Sequence, residues 1–261
     1  MKSQPSIVFL MYHELEIPGR PLCSPEPGYV RYAVSEAEFR QQIQHLKEGG
    51  YRGASVGQSL EFAAGRSIAI TFDDGCETDL LTAAPILRDA RFNATFYITA
   101  GWLGRPGHLS AAQLKELFHQ GFEIGCHSMT HAYLTDLDDS ELHREISDAK
   151  AMLEDVIGKP VDHFSCPGGR CNVRVAQKVR AAGFQTVATS RIHVNSPRTD
   201  AFDLGRVAIL RGLDISEFAG ICTGDALPRL RARSGVRLIA RRILGSSLYD
   251  RVRKVLLRRN A

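Results

Sequence analysis

Short runs of apolar residues alternate along the chain with segments in which apolar residues recur every three or four positions. Most of the runs are apolar at consecutive positions, which is typical of parallel strands buried on both faces. The pattern predicts a weak strand at residues 53–56. It predicts seven stronger strands at residues 7–12, 67–72, 94–99, 122–126, 163–166, 185–189 and 207–210.

Helix start signals lie between the predicted strands. Ser35 and Glu38 have the spacing of a capping box, in which each side chain binds the backbone N–H of the other residue. A second box begins at Ser110, and Ser140 is predicted to open a longer helix; another helix is predicted at residues 173–182. Strands that alternate with helices predict an α/β fold with a parallel sheet, and seven or eight strands favour closure into a barrel.

The composition is that of an ordinary globular protein. The 261 residues are 44% hydrophobic and 24% charged, which excludes a disordered polymer, a collagen-like fibre and a small disulfide scaffold. No apolar run reaches the roughly 18 residues that a membrane-spanning helix needs. The run at residues 7–12 is too short for the core of a signal peptide, so the sequence predicts a cytoplasmic protein with six free cysteine thiols.

Positive charge is concentrated near the C-terminal end of the sequence. From Arg229 onward, 11 Lys or Arg accompany one acid, Asp250; this balance of +10 leaves −6 for the rest of a chain whose total is +4. The sequence predicts a barrel at residues 1–227 and a basic amphipathic helical tail at residues 228–261. The tail could lie on an anionic membrane surface, or pack on the barrel with its arginines in water. Nucleic acid is a less favoured partner because no recognised binding fold is present.

Two adjacent acids follow the predicted strand at residues 67–72. Side chains alternate along a strand, so Asp73 and Asp74 can face different partners. One of them can bind a metal ion while the other stays free as a base. A strand-to-helix turn with aspartate caps accounts for the same residues equally well.

A pair of histidines follows the predicted strand at residues 122–126. His127 and His131 are four residues apart, so they would share one face of a helical turn and could chelate a divalent ion, although two surface histidines have the same spacing. With an aspartate from a neighbouring strand end they form a His₂Asp set. Three protein ligands and an open position for water are the pattern of a catalytic metal site.

Two further strand ends carry candidates for chemistry. Residues 167–169 read Pro-Gly-Gly and either offer backbone N–H groups to an oxyanion or form a simple tight loop. His13 ends the first predicted strand, where it either exchanges a proton at the mouth of the barrel or bonds to the backbone.

These motifs resemble those of the polysaccharide deacetylase family, the NodB-homology domain of carbohydrate esterase family 4. The matching segments read Thr-Phe-Asp-Asp-Gly at 71–75, His-Ser-x-x-His at 127–131 and Phe-x-x-Pro-x-Gly at 164–169. The resemblance extends over roughly residues 7–210. It implies a deformed (β/α)7-8 barrel and a metal-dependent amide hydrolase.

The resemblance also implies roles by motif position. Asp74, His127 and His131 would hold one divalent metal ion, usually zinc in this family. Asp73 would be the general base. The backbone N–H of Gly168 would stabilise the oxyanion.

The sequence departs from the family pattern in three places. Ser165 stands where the third motif usually has the arginine that holds the base, and Arg170 is a candidate substitute. Gly168 stands where an aromatic residue is common, which is expected to open the site. No Leu-x-His motif late in the chain supplies the general acid. In a permuted branch of the family that motif comes first, which makes His13 the candidate acid and His193 the second candidate.

The expected function is removal of the acetyl group from an N-acetylated sugar or glycan. A lipid-linked sugar or a glycan precursor at the inner face of the membrane fits the predicted cytoplasmic location better than mature cell-wall glycan. Two alternatives stay open: a deformylase or amidohydrolase acting on a small or lipid-linked sugar, and an inactive carbohydrate-binding barrel. The retained Asp73 argues against the inactive barrel, because a binding role needs no free base beside a metal.

Overall fold

The described part of the chain folds into one curled sheet of eight strands with helices packed around it, and a separate two-stranded pair. The computed structural model describes residues 6–61 and 65–233, so the predicted tail lies outside the described residues from position 234 onward. The strands are β1 Val8–Tyr12, β2 Leu15–Glu16, β3 Val34–Ser35, β4 Arg52–Ala54, β5 Ser67–Phe72, β6 Thr95–Ile98, β7 Glu123–Cys126, β8 His163–Ser165, β9 Thr186–Ala188 and β10 Val207–Ala208.

Helices connect most of these strands. The α-helices are α1 Pro27–Val30, α2 Glu36–Glu48, α3 Val56–Ser59, α4 Ala84–Ala90, α5 Ala111–His119, α6 Asp139–His143, α7 Ala149–Ile157, α8 Val173–Ala181 and α9 Ile215–Thr223. Wider π-helical turns, Asp79–Ala83 and Arg144–Asp148, lead into α4 and α7. Residues 227–233 are also helical. Within the described ranges, every helix is too short or too polar to traverse a lipid bilayer.

Hydrogen-bonded strands follow the order β10-β1-β5-β6-β7-β8-β9, and β4 pairs with the beginning of β5. All of these pairs are parallel, as the apolar runs predict. Leu204, shortly before β10, pairs with Ala188 of β9. The chain therefore links the two ends of this strand order, β9 and β10. The sheet is the deformed α/β barrel that the sequence predicts, and the carboxyl ends of its strands meet at one mouth.

The inside of the curled sheet changes from apolar to polar toward this mouth. Phe9, Ala69 and Tyr97 belong to a small buried cluster, whereas the larger core lies between the sheet and the helices. Side chains alternate along a strand, so the row that begins at Ala69 continues through Thr71 to Asp73. A buried carboxylate therefore ends the inner row of β5.

Local sequence signals explain most helix starts. The capping boxes predicted at Ser35 and Ser110 are present. The start predicted at Ser140 is wrong by two residues: Asp138 is the N-cap of α6, because its carboxylate accepts a hydrogen bond from the N–H of Glu141 and the Glu141 side chain binds its backbone in return.

Candidate active site

Two strand ends bring the three predicted metal ligands together. Asp74 follows β5, and His127 and His131 follow β7. Asp74 Oδ1 lies 3.6 Å from His127 Nε2 and 3.5 Å from His131 Nε2. The three donor atoms lie within 4.8 Å of one another, which is close enough to contact a single ion. The predicted convergence of these side chains is therefore present.

The backbone that presents these ligands is unusual. Asp74, Ser128 and His131 have positive φ angles of 82°, 68° and 65°, in the region that non-glycine residues rarely adopt. Such conformations persist only where surrounding contacts enforce them, and they cluster at functional sites. The predicted helical turn through the histidines is wrong, because residues 127–131 form a loop in which these left-handed residues turn the two rings together.

Buried Glu145, in the π-helical turn before α7, fixes this loop. Its carboxylate accepts hydrogen bonds from the N–H groups of Met129 (3.1 Å) and Thr130 (2.9 Å) and from the Thr130 hydroxyl (2.6 Å). Since both N–H groups lie between the histidines, Glu145 holds the loop in the conformation that brings the two rings together.

Both histidines are in the neutral form that a metal ligand requires. His127 Nδ1 donates to the carbonyl oxygen of Ser165 at 2.8 Å, which leaves Nε2, on the side of Asp74, as the nitrogen with a lone pair. Burial lowers the pKa of His127 to about 3 and also lowers the pKa of His131. The His131 ring stacks on Trp102 with centroids 5.3 Å apart. Neutral imidazole is the form that binds metal ions.

Asp73 points to a different partner, as its alternation with Asp74 predicts. Its carboxylate receives two hydrogen bonds from Arg206, at 2.7 and 2.8 Å. Burial alone would raise the pKa of Asp73, but the buried guanidinium outweighs it and holds that pKa well below its usual range. Asp73 is therefore ionised at any working pH.

Arg206 was not predicted from the sequence. It is 1% exposed and lies just before β10, and its guanidinium also donates to Ser165 Oγ (2.7 Å), Thr71 Oγ1 (3.1 Å) and the Thr189 carbonyl (3.2 Å). The small Ser165 side chain binds the guanidinium where the family motif usually has its own arginine. The sequence feature that indicates a buried, functional Arg206 is its position as the one charged residue within the apolar stretch at residues 204–210.

The candidate substitute, Arg170, does not hold the bidentate position on Asp73. Its guanidinium lies 3.4 Å from the centroid of the Tyr133 ring and 3.7 Å from Asp136. The bidentate position on Asp73 belongs to Arg206.

Asp74 has the opposite electrostatic character. Burial raises its pKa to about 6, and the negative charge of Asp73 adds to this increase. Its Oδ1 atom is buried without a hydrogen-bond partner among the described residues. A buried polar atom that lacks a partner is costly, and a cation at this point would satisfy it.

Gly168 lies in the turn after β8 with φ +60°. A Cβ atom at this position would come within 2.7 Å of the Tyr133 ring. The prediction that Gly168 opens the site is therefore wrong, because the Tyr133 ring packs against the glycine.

The two candidate acids occupy different environments. His13 is half-buried after β1, its ring centroid lies 4.8 Å from that of Tyr32, and its buried Nδ1 has no hydrogen-bond partner among the described residues. It lies close enough to Asp73 and Asp74 to interact electrostatically with both carboxyl groups. His193 packs against Gly205, and its Nδ1 donates to the Val194 carbonyl at 3.0 Å.

Comparison with known proteins identifies the family. Residues 63–187 match the sequence model for polysaccharide deacetylase. A peptidoglycan-N-acetylglucosamine deacetylase of Bacillus cereus is 36% identical over 124 residues, 47% of this chain and 56% of that relative's length. A poly-β-1,6-N-acetyl-D-glucosamine N-deacetylase of Staphylococcus aureus (strain MRSA252) is 23% identical over 197 residues, 68% of each chain.

A solved structure shares the fold. The deacetylase PplD of Streptococcus pyogenes, in complex with acetate, superposes with a TM-score of 0.75 at 23% identity, covering 84% of this chain and 99% of that one. The segment at residues 63–187 therefore matches the polysaccharide deacetylase family, enzymes that hydrolyse N-acetyl amide bonds, and the chain around it has the fold of such a deacetylase.

Proposed function

We propose that this protein is a metal-dependent deacetylase that removes acetyl groups from N-acetylglucosamine units of a glycan. The observation that carries the proposal is the pairing of two carboxylates with different partners. Asp74 faces His127 and His131, whereas the adjacent Asp73 is kept ionised by Arg206. Sugar binding alone does not need one carboxylate to bind a metal and the adjacent one to stay free as a base. Hydrolysis assisted by a metal and a base needs both.

The residues present fit a divalent ion. One carboxylate and two imidazoles form the donor set, and the buried Asp74 Oδ1 lacks any other partner among the described residues. A set of two nitrogens and one oxygen with an open position suits zinc. The ion would supply Lewis-acid polarisation of the acyl oxygen and would increase the acidity of a water molecule.

The chain's own groups then account for the proton transfers. Asp73 accepts the proton of the attacking water. The N–H of Gly168 donates to the oxyanion that forms on the acyl carbon. Arg206 keeps Asp73 ionised and fixed in orientation, since four of its hydrogen bonds hold it to Asp73, Ser165 and Thr71.

His13 is the proposed general acid. An amine is a poor leaving group unless it is protonated, so a proton donor is needed on the leaving side. The unpartnered Nδ1 and the electrostatic effect on both carboxylates favour His13 over His193, whose Nδ1 already donates to a carbonyl. We expect His13→Ala to lower kcat by about 100-fold or more and His193→Ala to change it little.

The substrate class comes from the two curated relatives. Both are named for deacetylation of N-acetylglucosamine in a polymer, one in peptidoglycan and the other in a β-1,6-linked glucosamine polymer. The proposed substrate is therefore a glycan that contains N-acetylglucosamine, and lipid-linked precursors at the inner face of the membrane remain a predicted variant of it.

The test measures acetate release from N-acetylglucosamine oligomers and peptidoglycan fragments by the purified full chain. Activity should disappear after chelation and return with zinc. Asp73→Asn should keep the bound metal and lose turnover. Full activity in the chelated protein, or in Asp73→Asn, would contradict the mechanism. Hydrolysis of N-formyl but not N-acetyl glucosamine would favour the deformylase alternative instead.

A further inference from the structure

A second group of metal-binding side chains lies apart from the three proposed ligands. Cys23, Cys76 and His108 each present a ligand atom, and these atoms lie within 4.8 Å of one another. Cys76 is fully buried, while Cys23 and His108 are partly exposed. The three residues come from separate parts of the chain, so the fold itself assembles the group.

The backbone fixes two of the three side chains. Cys76 and His108 stand directly opposite each other in an antiparallel bridge. The flanking hydrogen bonds, Glu77 N–H to the Gly107 carbonyl and Leu109 N–H to the Gly75 carbonyl, make this a non-hydrogen-bonded pair, in which the side chains on one face are closest.

Gly107 makes room for the third side chain. A Cβ atom there would lie 2.6 Å from Cys23 Sγ. The thiol instead approaches the backbone and donates to the Gly107 carbonyl at 3.2 Å. Any side chain at residue 107 would displace Cys23 from the group.

The sulfur separation fits a shared ion. Cys23 Sγ and Cys76 Sγ are 3.8 Å apart. In tetrahedral zinc coordination with Zn–S bonds of about 2.3 Å, two sulfurs lie about 3.8 Å apart. A disulfide would bring them to about 2.05 Å.

The hydrogen bond of the His108 ring leaves one of its nitrogens available as a ligand. Its Nδ1 donates to the Pro106 carbonyl at 3.3 Å, which leaves Nε2 with the lone pair. Hydrogen bonding of one ring nitrogen to a carbonyl is the usual arrangement of a metal-binding histidine.

Acidic groups around the cysteines call for positive charge. Glu14 is 1% exposed, accepts from the Cys23 N–H at 2.9 Å, and places its Oε1 3.5 Å from Cys23 Sγ. Asp79 is also 1% exposed, and both of its carboxylate oxygens lack a hydrogen-bond partner among the described residues. Two buried carboxylates beside two thiols are stabilised by a cation.

We propose that Cys23, Cys76 and His108 bind a second zinc ion. Thiolate and imidazole ligands in this combination favour zinc over the oxygen-seeking cations, and they leave one position of a tetrahedral site open. The ion would tie the segment around Cys23 to the turn that carries Asp74, two residues before Cys76. The second ion would thereby stabilise the turn that presents Asp74, the proposed ligand of the catalytic metal.

Cobalt substitution tests the proposal, because Co²⁺ bound to thiolates gives a charge-transfer absorption band that oxygen and nitrogen ligands do not. The reduced, metal-free full chain is titrated with Co²⁺ alone. The intact chain should bind about two ions and show the thiolate band. Cys23→Ser and, separately, His108→Ala should each bind about one ion, with the band lost in the first and shifted in the second.

Two further variants separate this site from the proposed active site. Asp74→Ala should lose one ion and keep the thiolate band, so failure of the proposed catalytic metal leaves this proposal standing. Cys171→Ser, another partly exposed cysteine, is the matched control and should behave like the intact chain. Absence of the band, or a band unchanged in both Cys23→Ser and His108→Ala, would overturn the proposal. So would a Cys23–Cys76 cross-linked peptide, with a mass lower by two hydrogen atoms, in protein purified without reductant.

Discussion

Adjacent carboxyl groups at residues 73 and 74 have pKa values shifted in opposite directions because they face different partners. Asp73 receives two hydrogen bonds from the buried Arg206, which holds its pKa well below the usual range. Asp74 faces two neutral histidines, and burial raises its pKa to about 6. Without Arg206 the two carboxyl groups would compete for one proton. The separate roles of Asp73 as base and Asp74 as metal ligand therefore depend on the Arg206 side chain.

Replacing Arg206 with Met should therefore shift the pH dependence of catalysis. Loss of the guanidinium raises the pKa of Asp73, so the base becomes protonated at higher pH and kcat/KM falls earlier as the pH is lowered. The uncompensated buried carboxylate should also cost about 3–5 kcal/mol of stability. The measurement is the pH profile of kcat/KM, with Arg206→Lys as the control that keeps one positive charge. An acidic limb unchanged in Arg206→Met would contradict the assigned role.

Asp74→Asn should stabilise the metal-free protein. The pKa of Asp74 is about 6 in the fold against an ordinary value of 3.8, so its contribution to stability is fully present below pH 3.8 and is lost as the pH rises through 6. At pH 8 the ionised group should cost roughly 1–3 kcal/mol, which asparagine removes.

Urea unfolding with a chelator present measures this at pH 8 and again near pH 3.5, where the intact chain and the variant should differ little. The variant should also fail to bind the metal. If the Asp74→Asn chain is no more stable than the intact chain at pH 8, burial of the ionised Asp74 carboxylate does not destabilise the fold.

The sequence predicts some site residues and misses others for a physical reason. Asp74, His127 and His131 each lie just beyond an apolar run, so parallel topology alone brings them to one mouth. Arg206 reaches Asp73 across 133 positions of sequence, and only the pairing of β10 with β1 places it there. Arg170 directly follows the third motif in sequence, yet Arg206 is the residue that binds both carboxylate oxygens of Asp73.

At the scale of elements, the loop at residues 127–131 depends on the π-helical turn that carries Glu145. This buried carboxylate binds two N–H groups and one hydroxyl of the loop. Hydrogen bonds to a charged acceptor are stronger than neutral ones, so they can hold Ser128 and His131 in left-handed conformations that cost energy.

Glu145→Gln should therefore weaken metal binding without removing a ligand. Glutamine has nearly the same volume but loses the charge and one acceptor oxygen. We expect metal affinity to fall about tenfold, as for other residues that orient ligands. Competition with a chromogenic chelator measures the affinity. Asp155→Asn, an exposed change on neighbouring α7, is the control. Equal affinities in the two variants would show that the loop holds its shape unaided.

Strands and helix caps are local features, which is why the pattern predicts them well. All the strands of the sheet fall at predicted runs, and the boxes at Ser35 and Ser110 form as expected. The pattern predicts a helical turn at residues 127–131, where the structure has a loop. Two histidines four residues apart can come together in either conformation. The actual conformation of the loop depends on Glu145, which the local pattern cannot show.

At the scale of the whole molecule, the site exists because parallel strands end together. Asp73 and Asp74 follow β5, and His127 and His131 follow β7, so two strand ends of one sheet supply the ligands and the base. Ser165, which ends β8, supplies a hydrogen-bond partner for Arg206. β10 pairs with β1, which pairs with β5 on its other side, and this places Arg206 within reach of Asp73. The acidic body that results contrasts with the basic residues that follow it in the sequence.

The predicted membrane affinity of the tail is a property of this charge distribution. Residues 234–261 contain eight Lys or Arg and one acid, and each basic residue near an anionic surface contributes about 1 kcal/mol. The full chain should pellet with vesicles that contain phosphatidylserine, less so as salt screens the attraction, and not with zwitterionic vesicles. A chain ending at Arg233 keeps the buried Leu227 and the bond from Arg231 to the Ile192 carbonyl. It should therefore retain deacetylation of soluble oligomers and lose pelleting. Failure of the full chain to pellet would instead favour a tail that packs on the barrel, and equal pelleting of the two chains would show that the tail is not the membrane-binding part.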